Sequence, residues 1–112
     1  MTTVLDIPAR RDAAIACDMS TARDTPDERL AEYRRLFERS LTGRERHGDS
    51  FVLRFGGDAR DAVEDLARRE AACCPFLGYR VDVSGDDVVW TITNQRGADA
   101  GVEIGTMLGF DS

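Results

Sequence analysis

Glu70-Ala71-Ala72-Cys73-Cys74-Pro75-Phe76 places one carboxylate and two thiols within a single helical turn. Projected at about 100° per residue, Ala59, Ala62, Val63, Leu66 and Ala67 form an apolar stripe, with Glu70 in its middle. Cys73 and Cys74 follow at i+3 and i+4, the spacings that bring helical side chains into contact. A carboxylate in a buried stripe is costly unless something satisfies it. Two thiols beside it therefore point to a reactive or metal-binding pocket.

The chain has a third cysteine, Cys17, beside Asp18. An odd count rules out a complete intramolecular disulfide framework. Thiols at a helix C-terminus face the negative end of the dipole, and an ionised Glu70 adds to the unfavourable field. Arg68 and Arg69 are expected on the outer face or its margin, where they offset this only in part. A bound soft cation would remove the conflict by supplying positive charge to clustered thiolates. Cys17, Cys73 and Cys74 are accordingly the candidate metal ligands, with Glu70 beside them, for an ion or metalloid of the Hg(II) or As(III) type. Zinc is the weaker alternative. Adding His47 to the three cysteines completes a common zinc set, but the usual C-x₂₋₄-C spacing is absent and His47 falls in a polar loop.

The elements that must position these groups are read from local signals. Residues 1–12 carry little periodicity and are expected as a loose N-terminal arm, with a single domain over 13–112. Ala13 to Asp18 reads as a short strand. Thr25-Pro26-Asp27-Glu28 combines an N-cap, a proline at the first helical position and a capping-box glutamate. The helix is expected to run to about Leu41, burying Leu30, Tyr33, Leu36, Phe37 and Leu41, with Gly43 ending it. Phe51, Leu53 and Phe55 alternate as a strand. Asp58 is a candidate cap for the cysteine-bearing helix, and Pro75 predicts that this helix stops beside the cysteines. Tyr79 to Val83 and Val88 to Thr93 read as strands joined by the hairpin signal Ser84-Gly85-Asp86-Asp87. Trp90 shares a strand face with Val88 and Ile92, so its default role is core packing. Ala98 to Phe110 reads as a third helix, with glycines at 97, 101, 105 and 109. The expected fold is an α+β two-layer sandwich. About three helices cover a small, mainly antiparallel sheet of 3–4 strands, in the order (β)-α-β-α-β-β-α. The segment from Phe51 through the second helix to Val81 is read as a right-handed crossover.

A net charge of −6 argues against a nucleic-acid surface, which needs Lys and Arg to neutralise phosphates. The arginines alternate with acids along the helices and read as a solvated face. No apolar run approaches the ~18 residues of a membrane span, and the N-terminus lacks a signal-peptide core. A cytoplasmic protein with reduced thiols is the expectation. The glycine-lined tail offers a surface for a second copy of the chain.

Cys17 in its Ile15-Ala16-Cys17-Asp18-Met19 setting, together with Glu70, Cys73, Cys74 and Phe76, resembles a poorly characterised bacterial family of small proteins with a Cys…E-x-x-C-C-x-F pattern. Related sequences occur as C-terminal extensions of mercury-resistance-type regulators. The resemblance spans roughly residues 13 to 108, and the glycine-rich tail departs from it. It implies a thiol-based role linked to metal or metalloid stress. Three functions follow as expectations. The first is a soft-metal or metalloid sensor, buffer or delivery module. The second is a thiol-dependent enzyme, either releasing carbon from an organometal with Glu70 or Asp18 as acid or cycling a disulfide of Cys73 with Cys74 or of Cys17 with either. The third is an interaction domain whose cysteines merely pack.

Overall fold

The computed structural model describes residues 2–10, 20, 22–48 and 50–94. Strand β1 (Thr2–Ile7) leads to helix α1 (Pro26–Ser40), then strands β2 (Leu41–His47) and β3 (Ser50–Gly56). A short 3₁₀ turn (Gly57–Ala59) opens into helix α2 (Arg60–Cys73), and strands β4 (Leu77–Ser84) and β5 (Asp87–Asn94) follow. The five strands form one sheet in the order β1-β4-β5-β3-β2, with every neighbouring pair antiparallel.

This is a sheet-rich α+β fold and corrects the expected layout of three helices on three or four strands. Two of the five strands lie where none was anticipated. Thr2–Ile7, read as a loose arm, pairs with β4 in register from Thr2↔Ser84 to Ile7↔Tyr79. Leu41–His47, read as a helix end and a polar loop, pairs with β3. Both are edge strands, each with a single neighbour, so neither needs the strong apolar alternation of a central strand. The charges of Arg44, Glu45 and Arg46 on β2 also suit an edge, since they oppose pairing with another chain. Arg44 and Arg46 lay their guanidinium groups over the Phe37 and Phe51 rings, at 5.6 and 5.2 Å from the centroids. The strand expected at 13–18 and the helix expected at 98–110 lie outside the described residues.

The central elements match their local signals. Thr25 Oγ1 accepts from the Glu28 amide at 3.2 Å, and the Glu28 carboxylate accepts from the Thr25 amide at 2.9 Å, closing the capping box. The helix ends at Ser40, three residues before Gly43, which instead sits at a register shift between β2 and β3. Asp58 does not cap α2. That helix is entered through the 3₁₀ turn without a side-chain cap, and Asp58 accepts from Ser40 Oγ at 3.4 Å. Gly48, after β2, and Gly85, between β4 and β5, have φ of 59° and 60°. Positive φ at the first loop position is what two-residue hairpin turns of the primed types require.

Between the layers, Phe51, Leu53 and Phe55 of β3 and Val88, Trp90 and Ile92 of β5 meet Tyr33, Leu36, Val63, Leu66 and Ala67 of the helices. Trp90 is fully buried and stacks on Tyr33 with centroids 6.0 Å apart. The chain from β3 through α2 to β4 is a crossover between parallel strands, with β5 inserted between them. It fixes the end of α2 over β4. Gly57 makes this entry into α2 possible, because a Cβ there would meet Asp86 Cα at 3.1 Å and its carbonyl oxygen at 3.3 Å. Gly57→Ala is expected to destabilise the fold by about 1–3 kcal/mol, read as a lower urea midpoint at unchanged m-value.

Candidate functional site

The inward stripe of α2 is Val63, Leu66, Ala67, Glu70 and Cys73. That of α1 is Arg29, Tyr33, Leu36 and Ser40. Each helix thus carries one charge on its buried face, and the two are opposite in sign. Arg29 Nη1 donates to Glu70 Oε1 at 2.7 Å, with only 5% and 7% of the two side chains exposed. The same Nη1 lies 3.5 Å from Cys73 Sγ. Asp24 holds the other side of the guanidinium through a two-point contact, with Nε at 2.9 Å and Nη2 at 2.7 Å. Such forked pairing fixes orientation as well as charge.

The ion pairs continue outward. Arg69 bonds Asp24 at 3.3 Å and Asp65 at 2.9 Å, and it also clasps Glu32. Arg69 therefore joins the network rather than standing off at the outer margin, whereas Arg68 is largely exposed. The Arg29 contact holds the Asp24 carboxyl below the usual aspartate range. Glu70 shifts the other way. Burial pushes its pKa up from the ordinary 4.5, against the opposing pull of Arg29. The folded state then binds more protons at Glu70 than the unfolded chain does, so this residue's contribution to stability falls as pH rises from 4.5 through its raised folded value. Glu70→Gln is expected to remove that component of the pH profile. Urea midpoints of wild type and variant between pH 4 and 8 check it, and identical slopes would refute it.

The backbone around the cysteines is held from β4. Tyr79 Oη donates to the carbonyls of Cys74 at 3.0 Å and Glu70 at 3.3 Å, satisfying acceptors that a helix end leaves free. The Cys74 amide donates back to Glu70 O at 2.6 Å. Cys74 leaves the helical region at φ −126°, ψ 68°, as the following proline demands.

The two adjacent cysteines differ in state. Cys73 is a free, buried thiol, and Cys74 is disulfide-bonded. Cys73 also lines a pocket of about 260 Å³ with Ala22, Arg23, Asp24, Arg29, Arg69 and Ala72. The structure thus brings Cys73, Cys74 and Glu70 together. Cys17 and Asp18 lie outside the described residues, but both flanks of their segment are anchored here. Arg10 N–H donates to Pro75 O at 2.8 Å, and Ala22 lines the Cys73 pocket. His47 lies on edge strand β2, exposed, with Nε2 2.7 Å from Glu45 Oε2. That strand is separated from β4, which follows the cysteines, by β5 and β3. Among the described residues no group of three or more histidine, cysteine, aspartate or glutamate side chains converges as a metal cage would. No helix in them is long and apolar enough to cross a membrane.

Arg29, Asp24 and Tyr79 were missed as site residues. For Arg29 a signal existed, since it shares a helical face with Tyr33, Leu36 and Ser40 at spacings of four, seven and eleven. A cation in one apolar stripe and an anion in another ask for each other.

The class defined by fold and site is thus a sheet-rich α+β protein with a buried thiol–arginine–carboxylate cluster beside a disulfide. Comparison with family models, with curated proteins and with solved structures returns no match for the chain.

Proposed function

We propose that the protein is a thiol-based redox module working through Cys73, Cys74 and Cys17, with Arg29 and Glu70 setting the charge around the sulfurs. The observation that carries this is the unequal state of two neighbouring cysteines, one free and one disulfide-bonded. With three cysteines in the chain, Cys17 is the intramolecular candidate for the partner of Cys74. The anchored flanks support this, because at about 3.3–3.6 Å per residue the tethers from Arg10 and Ala22 reach the cysteine pair from either side. Reduction by two equivalents of a small thiol returns two protein thiols and releases the reductant as its disulfide. Burial of Cys73 and Cys74, at 5% and 3% exposure, favours a switch or sensor over a rapid general oxidoreductase, whose attacking thiolate must be accessible.

Differential alkylation before and after reduction, followed by peptide mass spectrometry, tests this. The expected pattern is a Cys17–Cys74 disulfide with Cys73 as the free thiol, and reversible closing against a dithiol redox buffer. Three free thiols at every poise would overturn it.

A second function belongs to the reduced form, and adjacency of Cys73 and Cys74 favours it. Opening the disulfide frees two neighbouring thiols plus Cys17, a soft donor set suited to Hg(II) or As(III). That is the soft-metal sensor, buffer or delivery role raised by the sequence, now conditional on reduction. Native mass spectrometry of the reduced chain with one equivalent of either ion is expected to give a one-to-one adduct that the oxidised chain does not form. Equal affinity in all three single Cys→Ser variants would remove this role.

A further inference from the structure

We infer that Cys73 is the thiol that first meets the oxidant, and that the oxidant is a small, uncharged hydroperoxide admitted through the pocket beside Arg29. This deepens the redox role above and rests on it. Four observations converge. Cys73 reaches that pocket, whereas Cys74, its neighbour, is the sulfur already held in a disulfide. The guanidinium of Arg29 stands 3.5 Å from Sγ and is held rigid by Asp24 and Glu70. A fixed donor there can stabilise the negative charge that builds on the peroxide oxygen leaving the sulfur. Both Arg29 and Arg69 at the pocket are matched by carboxylates, and Arg23 faces Asp65 at 3.5 Å, so the site offers no surplus charge to recruit an ionic ligand. Finally, about 260 Å³ falls below the usual range of ~300–1,000 Å³ for drug-sized ligands, and attack on a bulky disulfide needs three sulfurs in line with room for both substituents.

The chemistry closes without further reagents. Cys73–SH and ROOH give Cys73–SOH and ROH: the O–O bond breaks, an S–O bond forms, and the thiol proton goes to the departing oxygen. Cys17–SH then displaces water from the sulfenic acid to form Cys17–S–S–Cys73. Cys74–SH attacks Cys17 in turn, giving Cys17–S–S–Cys74 and returning Cys73 as a free thiol. Two thiols have lost two electrons to the peroxide. The end state leaves Cys74 bonded and Cys73 free, as they stand in the structure. A pair of adjacent cysteines has a purpose in this scheme, since one reacts and the other stores.

The test uses the reduced full-length chain with hydrogen peroxide, dimedone as the sulfenic-acid trap, and peptide mass spectrometry. In wild type, dimedone is expected on Cys73. C17S should accumulate that adduct, C74S should stop at Cys17–S–S–Cys73, and C73S should lose disulfide formation on the wild-type time scale. Circular dichroism confirms that each variant is folded, and the wild-type labelling stands without any variant. Dimedone on Cys17 or Cys74 instead of Cys73, or C73S closing as fast as wild type, overturns the assignment while leaving the redox role intact. Glutathione disulfide loading Cys73 faster than peroxide oxidises it, at equal concentration, overturns the hydroperoxide class. A wild-type chain that forms no disulfide overturns both this inference and the redox role beneath it.

Discussion

Arg29→Met is expected to destabilise the protein by about 3–5 kcal/mol, the scale for stranding one partner of a buried ion pair. Arg29 is 4% exposed and Glu70 6%, so water cannot replace the lost guanidinium. Asp24 loses its forked partner in the same stroke, and Cys73 loses its one charged neighbour within hydrogen-bond range among the described residues. The double variant Arg29→Met, Glu70→Met should recover most of the loss, because two apolar side chains of similar volume fill the space without a buried charge. Urea unfolding of the wild type, the two single variants and the double variant measures the coupling directly. A loss below about 1 kcal/mol in the single variant, the level of a surface pair, would mean that this ion pair is hydrated in solution. If the double variant folds well but no longer closes its disulfide with peroxide, the charged pair serves the thiols rather than the fold.

Reduction should give the second large effect. A Cys17–Cys74 link closes a loop of nearly sixty residues, and the chain-entropy relation assigns such a crosslink roughly 4 kcal/mol. Wild type is expected to lose stability of that order on adding a dithiol reductant. Cys74→Ser should start at the lower value and show no response to the reductant, while Cys73→Ser should lose the same stability on reduction once its disulfide has been allowed to form. A wild type indifferent to reductant would place Cys74's partner outside this chain or show the crosslink to be strained. These two effects act on different states. Loss of Arg29 acts on the folded molecule by stranding a buried carboxylate, whereas the disulfide restricts the unfolded one.

Redox state is therefore expected to set how firmly the N-terminal part of the chain is held against the end of α2. Opening the disulfide removes a covalent tether. The Arg10–Pro75 hydrogen bond and the packing of Ala22 then remain to hold the flanks.

Local chemistry made much of this molecule readable in one dimension. The α2 stripe, its stop at Pro75, the Thr25–Glu28 capping box and the Gly85 turn each depend on residues within a few positions of one another, so their causes are written side by side in the chain. Strands β1 and β2 were not readable in the same way. Thr2–Ile7 has too little periodicity to stand out, and Leu41–His47 is too polar, because an edge strand draws its order from a neighbour distant in sequence. The misplaced helix end has the same origin: β2 begins directly at Leu41 because β3 is there to receive it.

The site divides along that line too. That Glu70, Cys73 and Cys74 share the end of a helix follows from helical geometry and a proline, with no knowledge of the rest of the chain. That the carboxylate is answered by Arg29 and that Tyr79 ties down the backbone of the pair follow from contacts across α1, α2 and β4. Spacing within a helix is a property of the backbone, fixed residue by residue. Which helix lies opposite is settled by the packing of both onto one sheet, and a buried charge finds its partner only there.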